Sequence, residues 1–211
     1  MRHLTMLGLA AVTALAATAL LGAGSASATV LCTENVRPCP KGEDYAANTE
    51  IHATLEPGVH SVLKDTAGNI IKTCTGSTFK GKTLNTGGGE GVAVVGVIEA
   101  LTFTGCTSPT VVIEKGLFEI HYVKGTNTRG TMTLVGTKIT TNAFGSSCVY
   151  GGIPIDTGTV TGKTATSNAT IHVAASLPKV EGGIACPLSV VWEAGYLVTA
   201  PVNFYIKEES E

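Results

Sequence analysis

Aromatic residues make up only 5% of this chain, with a single Trp, and charged residues only 14%. So few rings exclude an extensive aromatic platform for stacking sugars. An excess of positive charge is missing too, since 14 Lys and Arg stand against 16 Asp and Glu. That balance leaves no footprint for nucleic acid and no polybasic patch for anionic lipid. No cysteine stands in C-x-x-C spacing, which removes the usual signature of zinc ribbons and thioredoxin-like redox pairs. There is no G-x-S-x-G elbow for a nucleophilic serine and no long amphipathic helical period.

Long apolar runs are confined to the N-terminus. MRHLTMLGLAAVTALAATALLGAGSASA has Arg2, then no charge from Leu4 to Leu21, and closes on Ala26-Ser27-Ala28. A small-residue A-x-A site after such a run predicts a signal peptide over residues 1–28, removed on export. Cys32 follows Val30-Leu31 rather than a small residue, which argues against a lipid anchor. Cleavage leaves 211 − 28 = 183 residues, enough for a sizeable core, and no integral membrane span. Without Arg2, 13 basic residues face 16 acidic ones, a net charge near −3.

Six cysteines, Cys32, Cys39, Cys74, Cys106, Cys148 and Cys186, all follow the predicted cut. An even number in an exported chain predicts disulfides formed in an oxidising compartment.

Thr, Val, Ile and Gly dominate the mature chain, and apolar stretches recur between Gly- or Asn-rich turns. Strands are predicted at Ile51–Leu55, Ser61–Lys64, Ile70–Thr73, Val92–Glu99, Leu101–Thr104 and Val111–Glu114. Further strands are predicted at Leu117–Val123, Thr131–Thr140, Thr170–Ala174, Leu188–Thr199 and Asn203–Ile206. Val190, Trp192, Ala194, Tyr196 and Val198 share one face of their strand, with Glu193 on the other. The fold class is all-β, an antiparallel β-sandwich.

An internal repeat places Cys74 against Cys148, Gly81-Lys82-Thr83 against Gly162-Lys163-Thr164, and Cys106 against Cys186. VVIEKG from Val111 then matches VVWEAG from Val190, with offsets of 74, 81, 80 and 79 residues. The common order predicts two duplicated halves of about 80 residues. A rival alignment sets NTEIHATLEP from Asn48 against NATIHVAASLP from Asn168. The first register predicts the disulfides Cys74–Cys106 and Cys148–Cys186, which leaves Cys32–Cys39 to close CTENVRPC.

GSTFKGKT, Gly76 to Thr83, satisfies the Walker A pattern G-x-x-x-x-G-K-[ST]. A working phosphate loop needs a helix after it, whose N-terminal N–H groups cradle the anion. LNTGGGEG follows here, a turn-rich stretch in which no helix can start. The copy GTVTGKT lacks the first glycine of the pattern. The motif therefore reads as a strand ending in a glycine turn, with Lys82 and Thr83 toward solvent, and no nucleotide partner is expected.

His52, His60, His121 and His172 lie in the mature chain, three of them after Ile in strand-like segments. None forms H-x-H, so they read as outward strand residues and no metal site is expected. Glu114 and Glu193 are equivalent in the repeat, and sandwich-fold glycosidases use two carboxylates on facing strands. The simpler reading puts each on the solvent face of its strand. Gly87-Gly88-Gly89 reads as an ordinary flexible hairpin tip.

The signal peptide, ANTEIHATL near the mature start, TFTGC at Thr102, SCVYGG at Ser147 and IACPLSVVWEAGYLVTAP from Ile184 together carry a family resemblance. The chain resembles a family of uncharacterised, exported, disulfide-containing β-rich proteins of high-GC Gram-positive bacteria. That resemblance implies export and brings no activity, cofactor or catalytic residue.

The expected organisation is a signal peptide over 1–28 and a disulfide-closed segment over 29–48. A β-sandwich domain follows over 49–206, with repeat halves 49–125 and 126–206, and then a charged tail over 207–211. The expected function is that of a secreted or cell-envelope, non-catalytic binding or surface-structural module with an extracellular partner. Two other classes stay open: a small-ligand or glycan binder, and an extracellular hydrolase using Glu114 and Glu193. No catalytic, cofactor or metal residue is expected otherwise.

Overall fold

The computed structural model describes residues 28–209, apart from 144 and 153. The predicted signal peptide lies outside the described residues except for Ala28, as do residues 210–211 of the predicted tail. The described chain is all-β and antiparallel, as its alternation and turn spacing predict. The strands are β1 (Thr29–Cys32), β2 (Glu50–Leu55), β3 (Ser61–Asp65), β4 (Ile70–Thr83), β5 (Val94–Cys106), β6 (Thr110–Glu114) and β7 (Leu117–Tyr122). They continue with β8 (Arg129–Val135), β9 (Lys138–Ala143), β10 (Ser146–Gly151), β11 (Ile155–Thr161), β12 (Thr170–Glu181), β13 (Ser189–Ala200) and β14 (Tyr205–Glu208).

Four long strands organise the sandwich. β4, β5, β12 and β13 run 12 to 14 residues each, so each can pair with different neighbours along its two halves. β2 and β3 occupy successive halves of the gap between β13 and β4. At the β2 end, eight strands pair in a closed circuit, β13–β2–β4–β5–β7–β8–β11–β12 and back to β13. At the β3 end, β10, β9 and β6 extend from the far half of β12. This second lobe does not close, because among the described residues β6 pairs only with β9 and β5 pairs with β7 only over Val94–Val97.

Alternation fills both lobes. Val190, Trp192, Ala194, Tyr196 and Val198 are all buried, and Glu193 lies on the opposite face of β13. β1 and β14 form a separate ribbon buried on both sides. Leu31, Phe204 and Ile206 join the main core, while Val30, Cys32, Cys39 and Tyr205 form a small cluster behind them. Lys207, read above as the start of a charged tail, is fully buried in β14. Its ammonium is held by Asn35 Oδ1, Asn127 Oδ1 and the Asn127 carbonyl, so the apolar stem packs while neutral oxygens take the charge.

The three disulfides are Cys32–Cys39, Cys74–Cys106 and Cys148–Cys186, the pairs that the repeat register predicts. The matched segments nevertheless sit in different settings. VVIE forms the exposed edge strand β6, whereas VVWE lies in the central strand β13. The rival match has a simple geometry: β2 and β12 flank β13 on its two sides.

Several strand limits differ from expectation. The stretch Thr131–Thr140 is two strands, because Gly136 adopts φ 76° in a turn between β8 and β9. β1, β10 and β11 had no alternating run long enough to mark them. β4 continues past Thr73 through the whole of GSTFKGKT. Gly81 is thus not a turn glycine but a position of close approach. A Cβ there would lie 2.7 Å from Phe118 and 2.9 Å from Phe79. Thr83 is buried rather than solvent-facing, with its hydroxyl accepting from Thr49 N at 3.0 Å and donating to the Ala46 carbonyl at 3.2 Å.

Candidate functional site

The expected site residues are dispersed. Glu114 ends the edge strand β6, and its carboxylate accepts from Lys138 Nζ at 2.7 Å. Glu193 projects outward from β13 and accepts from Lys64 Nζ. β6 and β13 are not neighbours in the sheet, and each carboxylate is neutralised by its own lysine.

The histidines behave alike. His52 lies 2.9 Å from Glu50, His121 3.8 Å from Glu119 and His172 4.0 Å from Glu56, all on outer faces. His60 is exposed just before β3. No group of three His, Cys, Asp or Glu among the described residues is placed to hold a metal ion. Around Glu50 the outer face carries a small network. His52 and then Lys80 hold the Glu50 carboxyl below its ordinary range, and Glu99 with Glu50 holds the Lys80 ammonium above its own. All these groups are solvated, so the network is worth little for stability.

GSTFKGKT cannot act as a phosphate loop in this setting. From Thr78 to Lys82 it is paired with β2 on one edge and β5 on the other, so its N–H groups already serve the ladders.

Among the described residues, a convergence of polar groups with a recess lies where the two lobes meet. Trp192 donates its indole N–H to Ser61 Oγ at 2.9 Å, and Tyr196 shares a 2.7 Å hydrogen bond with Ser77 Oγ. Ser77 also donates to the Thr102 carbonyl at 2.7 Å. Phe103, Trp192 and Tyr196 meet edge to face, with centroids 5.8 and 6.4 Å apart. Burial pushes the Tyr196 phenol well above its usual range.

Trp192 forms part of the lining of two recesses. Within the closed circuit, one is lined by apolar side chains such as Phe79, Met132 and Ile171. In the open lobe, another of about 250 Å³, part of it open to solvent, is lined by Leu63, Lys72, Phe103, Thr110 and Ile139 among others. Close packing leaves each with free space for about one water.

Lys72 distinguishes the open lobe. It is only 2% exposed, and among the described residues no carboxylate is paired with it. Its ammonium donates to Ser108 Oγ, to the Ser108 carbonyl at 3.1 Å and to the Pro109 carbonyl at 3.2 Å. Burial holds its pKa below the ordinary value. Tyr150, fully buried on β10, has a hydroxyl with no partner among the described residues. Lys72 escaped the sequence reading, although its spacing of two from Cys74 in IIKTC puts both on one strand face. Had Cys74 been recognised as inward, Lys72 would have followed.

Among the described residues, β5 and β6 of this lobe are not paired with each other, which leaves a seam between them. On β6, Val111 is 57% and Ile113 51% exposed, on a strand with one edge unpaired among the described residues. No protein-family model, curated protein or solved structure matches the chain.

Proposed function

We propose that the protein works outside the cytoplasm, secreted or at the cell envelope, as a non-catalytic binding or surface-structural module. Three disulfides in a small β-protein fit an oxidising environment. The observation that carries the reading is the open seam. β6 presents a free backbone edge with Val111 and Ile113 outward, where natural sheets ordinarily shield an edge. Such an edge recognises an extended partner by adding a strand, with main-chain hydrogen bonds for affinity and side-chain contacts for selectivity.

The test is cosedimentation with isolated envelopes of a high-GC Gram-positive bacterium. The wild-type protein is expected in the pellet, and Val111→Lys with Ile113→Lys in the supernatant. Equal distribution of the two proteins overturns the assignment of the seam.

The alternative of small-ligand binding has less support, because the recess beside Lys72 and Trp192 has free space for about one water. Glycan stacking has less support, because Trp192 is buried and no aromatic ring among the described residues is exposed. The hydrolase reading also loses support, since Glu114 and Glu193 are each tied to a lysine on separate strands.

A further inference from the structure

The three consecutive glycines have a definite task. Gly87, Gly88 and Gly89 adopt φ 78°, 80° and 79°, a conformation that L side chains rarely take. A Cβ on Gly87 would lie 1.9 Å from the Thr29 carbonyl oxygen, and one on Gly88 would lie 2.6 Å from Glu209 Oε2. The loop therefore wraps directly over the start of β1 and the exit of β14. Gly88 N donates to the Thr29 carbonyl at 2.8 Å, and Gly89 N to Glu209 Oε2 at 2.9 Å.

Thr29 is fully engaged inside this clasp. It is 0% exposed; its N donates to the Val92 carbonyl at 3.3 Å, and its hydroxyl accepts from Tyr122 N at 2.8 Å. Ala28 before it is only half-buried, joined to β14 by a single 3.3 Å bond from Glu209 N to its carbonyl. A cut after Ala28 leaves every bond made by Thr29 in place. A cut one residue later removes all of them.

The geometry points to the Ala28–Thr29 bond as a maturation cut that creates a structural cation, the Thr29 α-ammonium, with the Glu209 carboxylate as its counter-ion. The inference rests on the export reading. A peptidase that prefers small residues adds water across the bond: the C–N bond breaks, hydroxyl goes to the Ala28 carbonyl carbon, and the nitrogen leaves protonated. Glu209 N gives up its acceptor to water, as at any strand end.

Most of the charged groups on the surrounding described elements already have partners. On β14, Lys207 is held by Asn35 and Asn127, and Glu208 pairs with Arg37 at 3.1 Å. On β7, His121 and Glu119 pair with each other, and Glu90 in the loop is exposed. Glu209 is exposed as well, but its carboxylate is held against the clasp by Gly89 N, next to the Gly88 N that bonds the Thr29 carbonyl, and this contact makes it the counter-ion.

The test uses a chain released from a fusion so that it begins at Thr29. Acylation of the α-amine at neutral pH, read by peptide mass, should be about tenfold slower than in Glu209→Gln, as one unit of raised pKa requires. Nα-acetylation and Glu209→Gln should each lower the urea midpoint, and together lower it no further than one alone. Equal acylation rates with additive midpoint losses overturn the ion pair. The N-terminus of the full chain exported by a bacterial host is determined in parallel. A start other than Thr29 overturns the cut whatever the labelling rates, and failure of export overturns the reading that the protein works outside the cytoplasm.

Discussion

The ring of Phe118 occupies the space that Gly96 leaves empty on the neighbouring strand. A Cβ at Gly96 would stand 2.1 Å from Phe118 Cζ, and Phe118 is 0% exposed. Gly81 flanks the same ring from β4, and Phe79 meets it edge to face at 5.8 Å. Two glycines thus let one large ring fill the closed circuit where three strands approach. Gly96→Ala should overpack this site and cost about 1–3 kcal/mol. Phe118→Ala should leave a cavity and cost about 3–5 kcal/mol. Urea unfolding of the two variants checks both, and a Gly96→Ala protein as stable as wild type would refute the packing account.

Lys72 should make stability depend on pH in the alkaline range. Burial lowers its pKa in the folded chain from the ordinary 10.5. Between the lowered value and 10.5 the unfolded chain binds more protons, so this group makes stability rise with pH across that window. Lys72→Met should remove that rise. Parallel melting curves for the two proteins from neutral to alkaline pH would contradict the prediction.

The disulfides should differ in weight. Cys74–Cys106 and Cys148–Cys186 span 32 and 38 positions, whereas Cys32–Cys39 spans 7. Replacing either long-range pair by alanines should cost about 2–4 kcal/mol, chiefly by freeing the unfolded chain. Loss of Cys32–Cys39 should cost about 1 kcal/mol less, because a short loop restricts the unfolded ensemble less. Denaturant midpoints of the three double variants give the order.

Mg·ATP should produce no saturable rise in melting temperature, because the backbone of GSTFKGKT is spent on two ladders. A rise that saturates and disappears in Lys82→Ala would show that the segment leaves the sheet to bind nucleotide.

Much of the strand pattern was legible because a side-chain period of two is local. Val190, Trp192, Ala194, Tyr196 and Val198 announce an inward face, and Glu193 announces the outer one. The disulfide pairs were legible through the common order of the matched sequence segments. The site was less so. Glu114 and Glu193 carry the right chemistry in the text, but the sheet gives each its own lysine on separate strands. Lys72 looks like any strand lysine until the neighbouring strands bury it.

Composition and alternation by themselves determined an antiparallel β-protein with paired cysteines and no excess of basic residues. Tertiary structure alone decided that eight strands close a circuit while the β5–β6 side stays open. It also decided that Gly81 and Gly96 serve Phe118, and that Gly87-Gly88-Gly89 clasps Thr29 and Glu209. The physical reason is range. Which face a residue takes depends on its immediate neighbours, whereas which strand lies beside it depends on contacts between residues far apart in the chain.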